Sequence, residues 1–427
     1  MIELQLLVAY FLLSCATYLV WPSRWNIPAH VALGFWVVAY LVPIGVVGTH
    51  RTFAPGLTDE YADVLLGGAI AFTVGVVLGT GVAPRSTHLF GRIARTRFAP
   101  GDEAVTRTAV VTVAAIAVLL FAMLRMGFVP MFADDPLAAK FFRGAYGEAY
   151  RPVAIPYRVG TGILPLLLPI LAAFALRAEA RARVRWWFLL GVALLLMLLT
   201  LQRGPAATGL LLLVGVLLAG RRRPLTLVTT AVAVYVGGAL FYVALGWLGL
   251  VESPVASGPG LEASIAASTP DVSDGLGFLQ RWHQHGEPLT AGRTFLGGLV
   301  PGNFRWNPGV WTVALGDDAV RLQQLNTGGL RLASPVWGLV SLGPVGVVLV
   351  PLLSGIVAGS LTAQLRRALD SATDLVARTW LFVAHAALAG VLVEFMTIGY
   401  IGVLQLIAGL WIIGRPRADR EEARCTA

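Results

Sequence analysis

The sequence is poor in charged residues: they make up only 13% of its 427 residues, whereas 57% are hydrophobic. A soluble domain carries about 25% charged residues, so this composition excludes an ordinary soluble globular protein. Lysine is almost absent as well, since Lys140 is the only lysine among the 32 basic residues. This absence indicates a coding bias toward arginine, which makes any single arginine a weaker sign of function.

Cysteine and the common catalytic motifs are scarce too. The two cysteines, Cys15 and Cys425, suggest neither a disulfide framework nor a cysteine-based metal site. No Walker motif, dinucleotide-binding glycine pattern, haem motif or zinc-protease motif occurs, and His283 with His285 lacks a clear third metal ligand. The sequence therefore predicts neither a metal nor a cofactor. If the protein transfers sugars, we expect its donor to be a lipid-linked sugar and not a cytoplasmic nucleotide sugar.

Long apolar runs, in contrast, are abundant. Most have roughly 17–25 residues, the length that crosses a bilayer core. The eleven apolar blocks are 2–21, 28–48, 63–83, 108–127, 158–176, 186–202, 205–220, 224–248, 335–359, 375–393 and 396–413. Because lipid offers the backbone no hydrogen-bond partners, such segments are helices. We therefore predict an all-α polytopic membrane protein with about eleven transmembrane helices, forming a single integral membrane domain over residues 1–427.

Arginine-rich connections predict the orientation. They are 84–107, 177–185, 221–223, 366–367 and the tail after 414. Eleven spans place all of them on one side, which the positive-inside rule assigns to the cytoplasm. We therefore expect the N-terminus outside, with residues 2–21 as a first span and not a removed signal peptide, and the C-terminus inside. The net charge of +9 follows from these connections and does not indicate binding to nucleic acid.

Three connections are then left for the outer face: 49–62, 128–157 and 249–334. The last is a large extracytoplasmic loop between spans 8 and 9. Its first part, 253–275, is rich in Ser, Pro, Ala and Gly and is expected to be flexible. Its second part, 276–334, contains several Trp and Phe residues and is expected to be ordered. A loop of this length is more often functional than idle.

Several arginines lie on the outer side, against the positive-inside bias. They are Arg143, Arg203, Arg293, Arg305 and Arg331. A guanidinium binds phosphate through a planar fork of donors, so a cluster of them would suit a diphosphate-linked lipid. The alternative is that each one reaches toward lipid headgroups or pairs with a nearby acid. Arg203 stands apart, because the short connection between spans 186–202 and 205–220 places it in or near the membrane, where a charge normally faces a polar cavity.

If the chain transfers a sugar, the reaction would need a base for the acceptor hydroxyl. His283 and Glu287 are chemically sensible candidates, although a solvated polar loop is the plainer interpretation of the histidine. The other acidic candidates that the sequence leaves open are Asp134, Asp135, Glu148, Asp317, Asp318 and Glu394.

Three stretches resemble the Wzy-type oligosaccharide repeat-unit polymerases, the O-antigen polymerase-like family, which is related to the O-antigen ligases. One runs from Gly127 to Phe132 and continues to Arg143. A second ends in Leu201-Gln202-Arg203-Gly204. The third runs from Gly292-Arg293-Thr294 through Trp306-Asn307-Pro308 and Asn326-Thr327-Gly328-Gly329 to Gly343. The likeness lies in the order of features more than in a strict signature.

The resemblance implies a glycosyltransferase that polymerises polyprenyl-diphosphate-linked oligosaccharides on the outer face of the bacterial cytoplasmic membrane, without a metal. The donor, the acceptor and membrane lipid would be its partners, together with a flippase and a chain-length regulator. Arg143, Arg203, Arg293 and Arg331 match the arginines that hold the diphosphate, and Arg203, Arg293, His283 and Glu287 are the catalytic candidates. Electrostatic stabilisation of the departing diphosphate gives this assignment a physical basis.

Two alternatives stay open at this point. One is an O-antigen-type ligase or another transferase that uses a lipid-linked sugar. The other is a transporter or flippase for the lipid-linked glycan, although the sequence lacks the matching halves that many transporters show.

Overall fold

The computed structural model describes residues 1–48, 56–83, 88–99, 101–247, 270–300, 304–315, 330–393 and 399–414. The helices of five or more residues in this part of the chain are α1 (Ile2–Cys15), α2 (Ile27–Val47), α3 (Leu57–Val82), α4 (His88–Arg95), α5 (Glu103–Met126), α6 (Pro136–Lys140), α7 (Ala145–Tyr150), α8 (Ala154–Arg177), α9 (Ala180–Leu199), α10 (Arg203–Gly220), α11 (Pro224–Trp247), α12 (Pro270–Gln284), α13 (Arg293–Gly297), α14 (Pro308–Ala314), α15 (Ser334–Leu342), α16 (Pro344–Ser371), α17 (Leu375–Leu392) and α18 (Tyr400–Ile413).

The architecture is that of a multi-pass membrane protein. Seven helical segments in the described ranges are long and apolar enough to cross a membrane, and four shorter apolar helices accompany them. Each of the eleven predicted apolar blocks overlaps one of these segments, so the prediction of a polytopic all-α membrane protein is confirmed. The number of spans and the direction in which each one crosses stay predictions.

The predicted span 335–359 needs correction. The structure divides it at Gly343, whose φ of +66° suits glycine. Before this turn α15 is a short helix, and α16 runs on alone to Ser371. The two helices double back on each other, because a Cβ on Gly338 would overlap the carbonyl of Gly346. The membrane-length helix is therefore 344–371.

The predicted flexible stretch 253–275 also needs correction, because its residues 270–275 belong to α12.

Contacts between connections define two ends of the helix bundle. Arg177 pairs with Asp374, the Arg367 guanidinium donates to the Ala83 carbonyl at 3.3 Å, and that of Arg107 donates to the Trp411 carbonyl at 3.2 Å. These contacts bring arginine-rich connections together at one end, here called the arginine end. The other end, called the loop end, carries α12, α13 and α14. Helix α3 joins the two, since its 26 residues extend about 39 Å.

Helices α3 and α16 pack against each other through glycines. Gly75 and Gly79 of α3 face α16 so tightly that a Cβ on either would overlap a carbonyl of that helix. Gly355 and Gly359 of α16 meet α3 in the same way. Small residues allow membrane helices to approach until their backbones touch, and this close packing is the main attraction between helices in lipid.

The buried apolar side chains form two main groups. The larger core lies among α5, α8, α9, α10 and α17. The smaller core lies among α1, α3, α12 and α15, at the loop end. The smaller core is the one that positions the candidate site.

Candidate functional site: a cavity at the loop end

Helix α12 lies against the start of α3. Its residues Val272, Leu276 and Leu279 recur at helical spacing and are buried in the smaller core together with Leu57 of α3. Asp271 stands in the first turn of α12, where an acidic side chain complements the helix dipole. The apolar face of α12 therefore fixes the position of Asp271 beside α2 and α3.

The carboxylate of Asp271 lies between a tyrosine and an arginine. The Tyr40 hydroxyl donates to Oδ2 at 2.9 Å, and Nε of Arg331 lies 3.1 Å from Oδ1. The side chain of Asp271 is 27% exposed and that of Arg331 is 69% exposed. The carboxylate is thus recessed, whereas the guanidinium is open to an incoming ligand.

Tyrosines support this carboxylate from within the bundle. Tyr10 stacks on Tyr40 with ring centroids 3.9 Å apart and an interplanar angle of 12°. The hydroxyls of Tyr10 and Tyr61 are 2.8 Å apart, and the Tyr61 hydroxyl donates to the main-chain carbonyl of Asp271 at 3.4 Å. Tyr40 itself stands in a π-helical turn of α2, Val37–Leu41. Such turns are frequent at functional sites.

These groups border a cavity of about 530 Å³, a size typical of small-molecule sites. Its polar lining includes Tyr10, Ser14, Tyr40, Asp271, Arg331, Ser334 and Ser354. Its apolar lining includes Leu13, Phe72, Trp337 and Val393. The Ser354 hydroxyl is buried in this wall with no hydrogen-bond partner in the described structure. The cavity therefore suits a ligand that combines an anionic group, placed at Arg331, with an apolar part.

The main chain of Arg331 is anchored to the same helix as its side chain. Its N–H donates to Oδ2 of Asp274 at 3.1 Å. Burial raises the pKa of Asp274, and the opposing effect of Arg331 does not cancel this shift. One turn of α12 thus fixes both the backbone and the guanidinium of Arg331 at the rim of the cavity.

Of the predicted diphosphate-binding arginines, Arg331 lines the cavity. Arg293 does not line it but lies near the smaller core. The guanidinium carbon of Arg293 is 4.9 Å from the centroid of the Trp306 ring. Trp306 and Leu330, the neighbour of Arg331, pack against the same smaller core. Arg305 stands over the Trp306 ring as well, at 5.4 Å. The structure therefore associates Arg293 with the loop end but does not place it in the cavity wall.

Arg143 and Arg203 lie elsewhere. Arg143 is exposed, with its guanidinium carbon 5.4 Å from the Phe141 ring centroid, and its neighbour Phe142 belongs to the larger core. Arg203 is the first residue of α10, directly after the short connection 200–202, and its side chain lies outside the described structure. No contact in the described ranges joins Arg143 to Arg293 or Arg331. A diphosphate site shared by all four arginines stays a prediction.

His283 is engaged through both ring nitrogens. Nδ1 lies 2.8 Å from Glu287 Oε1, and Nε2 lies 3.0 Å from Glu60 Oε2. Partial burial lowers the pKa of His283, but the hydrogen bond with Glu287 and the charge of Glu60 outweigh this effect, and the pKa is raised. Two carboxylate acceptors favour the doubly protonated ring, which has no lone pair to accept a proton. The geometry thus favours a role for His283 and Glu287 in fastening α12 to α3 over a role as the base.

The remaining acidic candidates do not line this cavity or are not described. Asp135 caps α6 by accepting the N–H of Ala138 at 2.9 Å, and Asp134 and Glu148 are exposed. Asp317, Asp318 and Glu394 lie outside the described residues, although Val393 before Glu394 belongs to the cavity wall.

The described residues contain no group of three or more metal-binding side chains suitably placed for an ion. Metal-free chemistry stays a prediction.

Sequence reasoning missed Asp271 and Tyr40. Asp271 follows Pro270 at the end of a Ser-, Pro- and Gly-rich stretch, which resembles a linker, and Tyr40 is one aromatic within an apolar block. Their contact joins positions 231 residues apart. Only the proline–acid pair at a helix start could have drawn attention to residue 271.

Comparison with models of known protein families finds no match, and comparisons with curated proteins and with solved structures find no significant match either.

Proposed function

We propose that the chain is a membrane glycosyltransferase that polymerises polyprenyl-diphosphate-linked oligosaccharide repeat units. The observation that carries this proposal is the cavity at the loop end, with the recessed carboxylate of Asp271 and the exposed guanidinium of Arg331 at its rim. The positive-inside rule supports an arginine end in the cytoplasm. The loop end, and with it the site, would then face outward from the bacterial cytoplasmic membrane.

In the proposed reaction, Asp271 accepts the proton of the acceptor hydroxyl. The acceptor oxygen bonds to the anomeric carbon of the donor, and the bond between that carbon and the phosphate oxygen breaks. The electron pair leaves with the polyprenyl diphosphate, whose new charge Arg331 stabilises through its fork of donors. Because Arg331 pairs with Asp271 before substrate binds, a bound diphosphate would take over these donors and release an oxygen of Asp271.

The lining of the cavity supports a lipid-linked donor and acceptor. Tyr40, Asp271 and Arg331 offer hydrogen bonds and charge, while Leu13 and Phe72 offer an apolar surface inside the bundle. In this proposal Arg293, Arg203 and Arg143 assist in holding diphosphate, and His283 and Glu287 position α12. A flippase would supply the lipid-linked units, and a chain-length regulator would limit the product.

The test is a deletion strain in which surface polysaccharide and lipid-linked intermediates are analysed together. Single capped repeat units on the surface would support a polymerase. Full-length polymer left on lipid would indicate a ligase, and intermediates trapped on the cytoplasmic face would indicate a flippase. Unchanged polysaccharide and intermediates would contradict all three.

A further inference from the structure

A second polar cavity, of about 540 Å³, lies at the arginine end. It is enclosed by the connection between α1 and α2, the last turns of α16 and the start of α17. Its charged and aromatic lining consists of Trp21, Trp25, Arg366, Asp370 and Arg378, with Ser23 beside them. None of these residues belongs to the site at the loop end.

Arg378 is held in a fixed position within this cavity. Its Nε donates to the Ala372 carbonyl at 2.8 Å, and its guanidinium carbon lies 4.9 Å from the centroid of the Trp25 ring. A guanidinium has five N–H donors, and Ala372 takes only one of them. The stacked, tethered arginine therefore offers donors to a ligand at little entropic cost.

Arg366 adds a second guanidinium to the lining of this cavity. It is exposed on α16, and within the described structure no carboxylate or carbonyl pairs with it. Asp370 lies one turn further along α16 and also lines the cavity, but no ion pair joins it to Arg366 or Arg378 in the described ranges. Two guanidinium groups against one carboxylate give the lining a net positive charge.

The surroundings indicate which anion fits. Arginine forks match phosphate oxygens, and tryptophans such as Trp21 and Trp25 are typical of the headgroup region of a membrane. Basic pockets between helices at the cytoplasmic surface are suited to anionic lipid headgroups. We propose that this cavity binds the phosphate of an anionic phospholipid, through Arg366 and Arg378. This site is independent of the proposed glycosyl transfer.

The experiment is native mass spectrometry of the purified full chain with added lipid. Phosphatidylglycerol should bind with higher affinity than phosphatidylcholine of the same acyl chains. Arg366→Gln and Arg378→Gln should each weaken phosphatidylglycerol binding roughly fivefold, since one cation near an anionic surface contributes about that factor. Asp370→Asn should strengthen it. The matched control is Arg181→Gln, because Arg181 is exposed at the same end and lies outside the cavity.

Three outcomes would overturn the proposal. One is equal binding of the two lipids, and another is equal weakening by Arg366→Gln and Arg181→Gln. The third is binding of inorganic phosphate with the same arginine dependence while phosphatidylglycerol does not bind, which would assign the site to free phosphate. Arg366 is exposed, so its variant keeps the test valid even where Arg378→Gln disturbs the fold.

Discussion

The two cavities are both lined in part by α16, but their charged side chains are arranged differently. Helix α16 contributes Ser354 to the cavity at the loop end and Arg366 to the cavity at the arginine end, about 18 Å apart along the helix axis. At the loop end, Arg331 is already paired with Asp271. At the arginine end, Arg366 has no pairing carboxylate among the described residues.

In the proposed function, this difference separates the site of the transfer reaction from a site that only binds. An arginine paired with a recessed carboxylate brings an acid–base group and an anion-binding group to one place, which a transfer reaction requires. Two arginines that pair with no carboxylate among the described residues, with Arg378 over the Trp25 ring, offer anion binding alone.

Replacing the carboxylate of the loop-end cavity should have the largest effect. Asp271→Asn cannot accept a proton, and we expect polymer formation to fall about 10²–10⁴-fold, the usual contribution of a general base. Phosphatidylglycerol binding at the arginine end should not change. The measurement is polymer yield in the complemented deletion strain, normalised to inserted protein. Asp59→Asn is the control, because Asp59 is exposed near the same end of α3. Equal activity in the two variants would remove Asp271 from the mechanism.

Removing the guanidinium that pairs with Asp271 should have the second-largest effect on activity. Arg331→Gln takes away a donor to the departing diphosphate, and we expect a loss of about 10²–10³-fold, as for other preorganised donors to a developing negative charge. Arg143→Gln is the comparison, since Arg143 lies over the larger core and outside the cavity. We expect a smaller loss there. A larger loss in Arg143→Gln than in Arg331→Gln would move the diphosphate site away from this cavity.

A third prediction concerns α16, which lines both cavities, and its packing against α3. A Cβ on Gly75 would overlap the Leu352 carbonyl of α16, whereas a Cβ on Gly67, also in α3, meets no atom within 4 Å. Gly75→Ala should therefore destabilise the protein by about 1–3 kcal/mol, and Gly67→Ala should not. Thermal unfolding in detergent measures both. Equal stability of the two variants would contradict the close packing of α3 and α16.

The smallest effect is expected at His283. Because its pKa is raised in the folded state, the stabilisation from Glu60 and Glu287 is fully present below the pKa of a free histidine, about 6.5. It is lost as the pH rises through the raised value. His283→Gln should therefore lower the thermal stability more at pH 6 than at pH 9. Thermal unfolding across this range tests it, and a difference that grows with pH would have the wrong sign for this contact.

Much of the fold could be predicted from the sequence, because apolar length alone identifies membrane helices. All eleven apolar blocks overlap helices, and the contacts of Arg177, Arg367 and Arg107 bring arginine-rich connections to one end. The break at Gly343 could not be predicted, because a short helix that doubles back is as apolar as a continuous span. Hydropathy records how apolar a segment is but not the direction in which it runs.

The candidate site could be predicted only in part. Arg331, which lines the cavity, was already a candidate because an arginine in a connection expected to lie outside opposes the charge bias. That signal can be recognised without knowing which residues contact the arginine. Asp271 and Tyr40 were missed because their meaning arises from a contact across 231 positions. The role of His283 could not be predicted for the same reason, because Glu60 lies in a different helix and occupies the nitrogen that a base would need.

Photo-crosslinking in cells that make the lipid-linked glycan tests whether the loop-end cavity holds this lipid. A photoreactive residue at Leu332 probes the loop-end cavity, and one at Ser23 probes the arginine-end cavity. If the loop-end cavity holds the polyprenyl-diphosphate-linked oligosaccharide, position 332 should crosslink to it and position 23 should not. Crosslinking of this lipid at position 23 alone, or at neither position in inserted protein, would contradict the account.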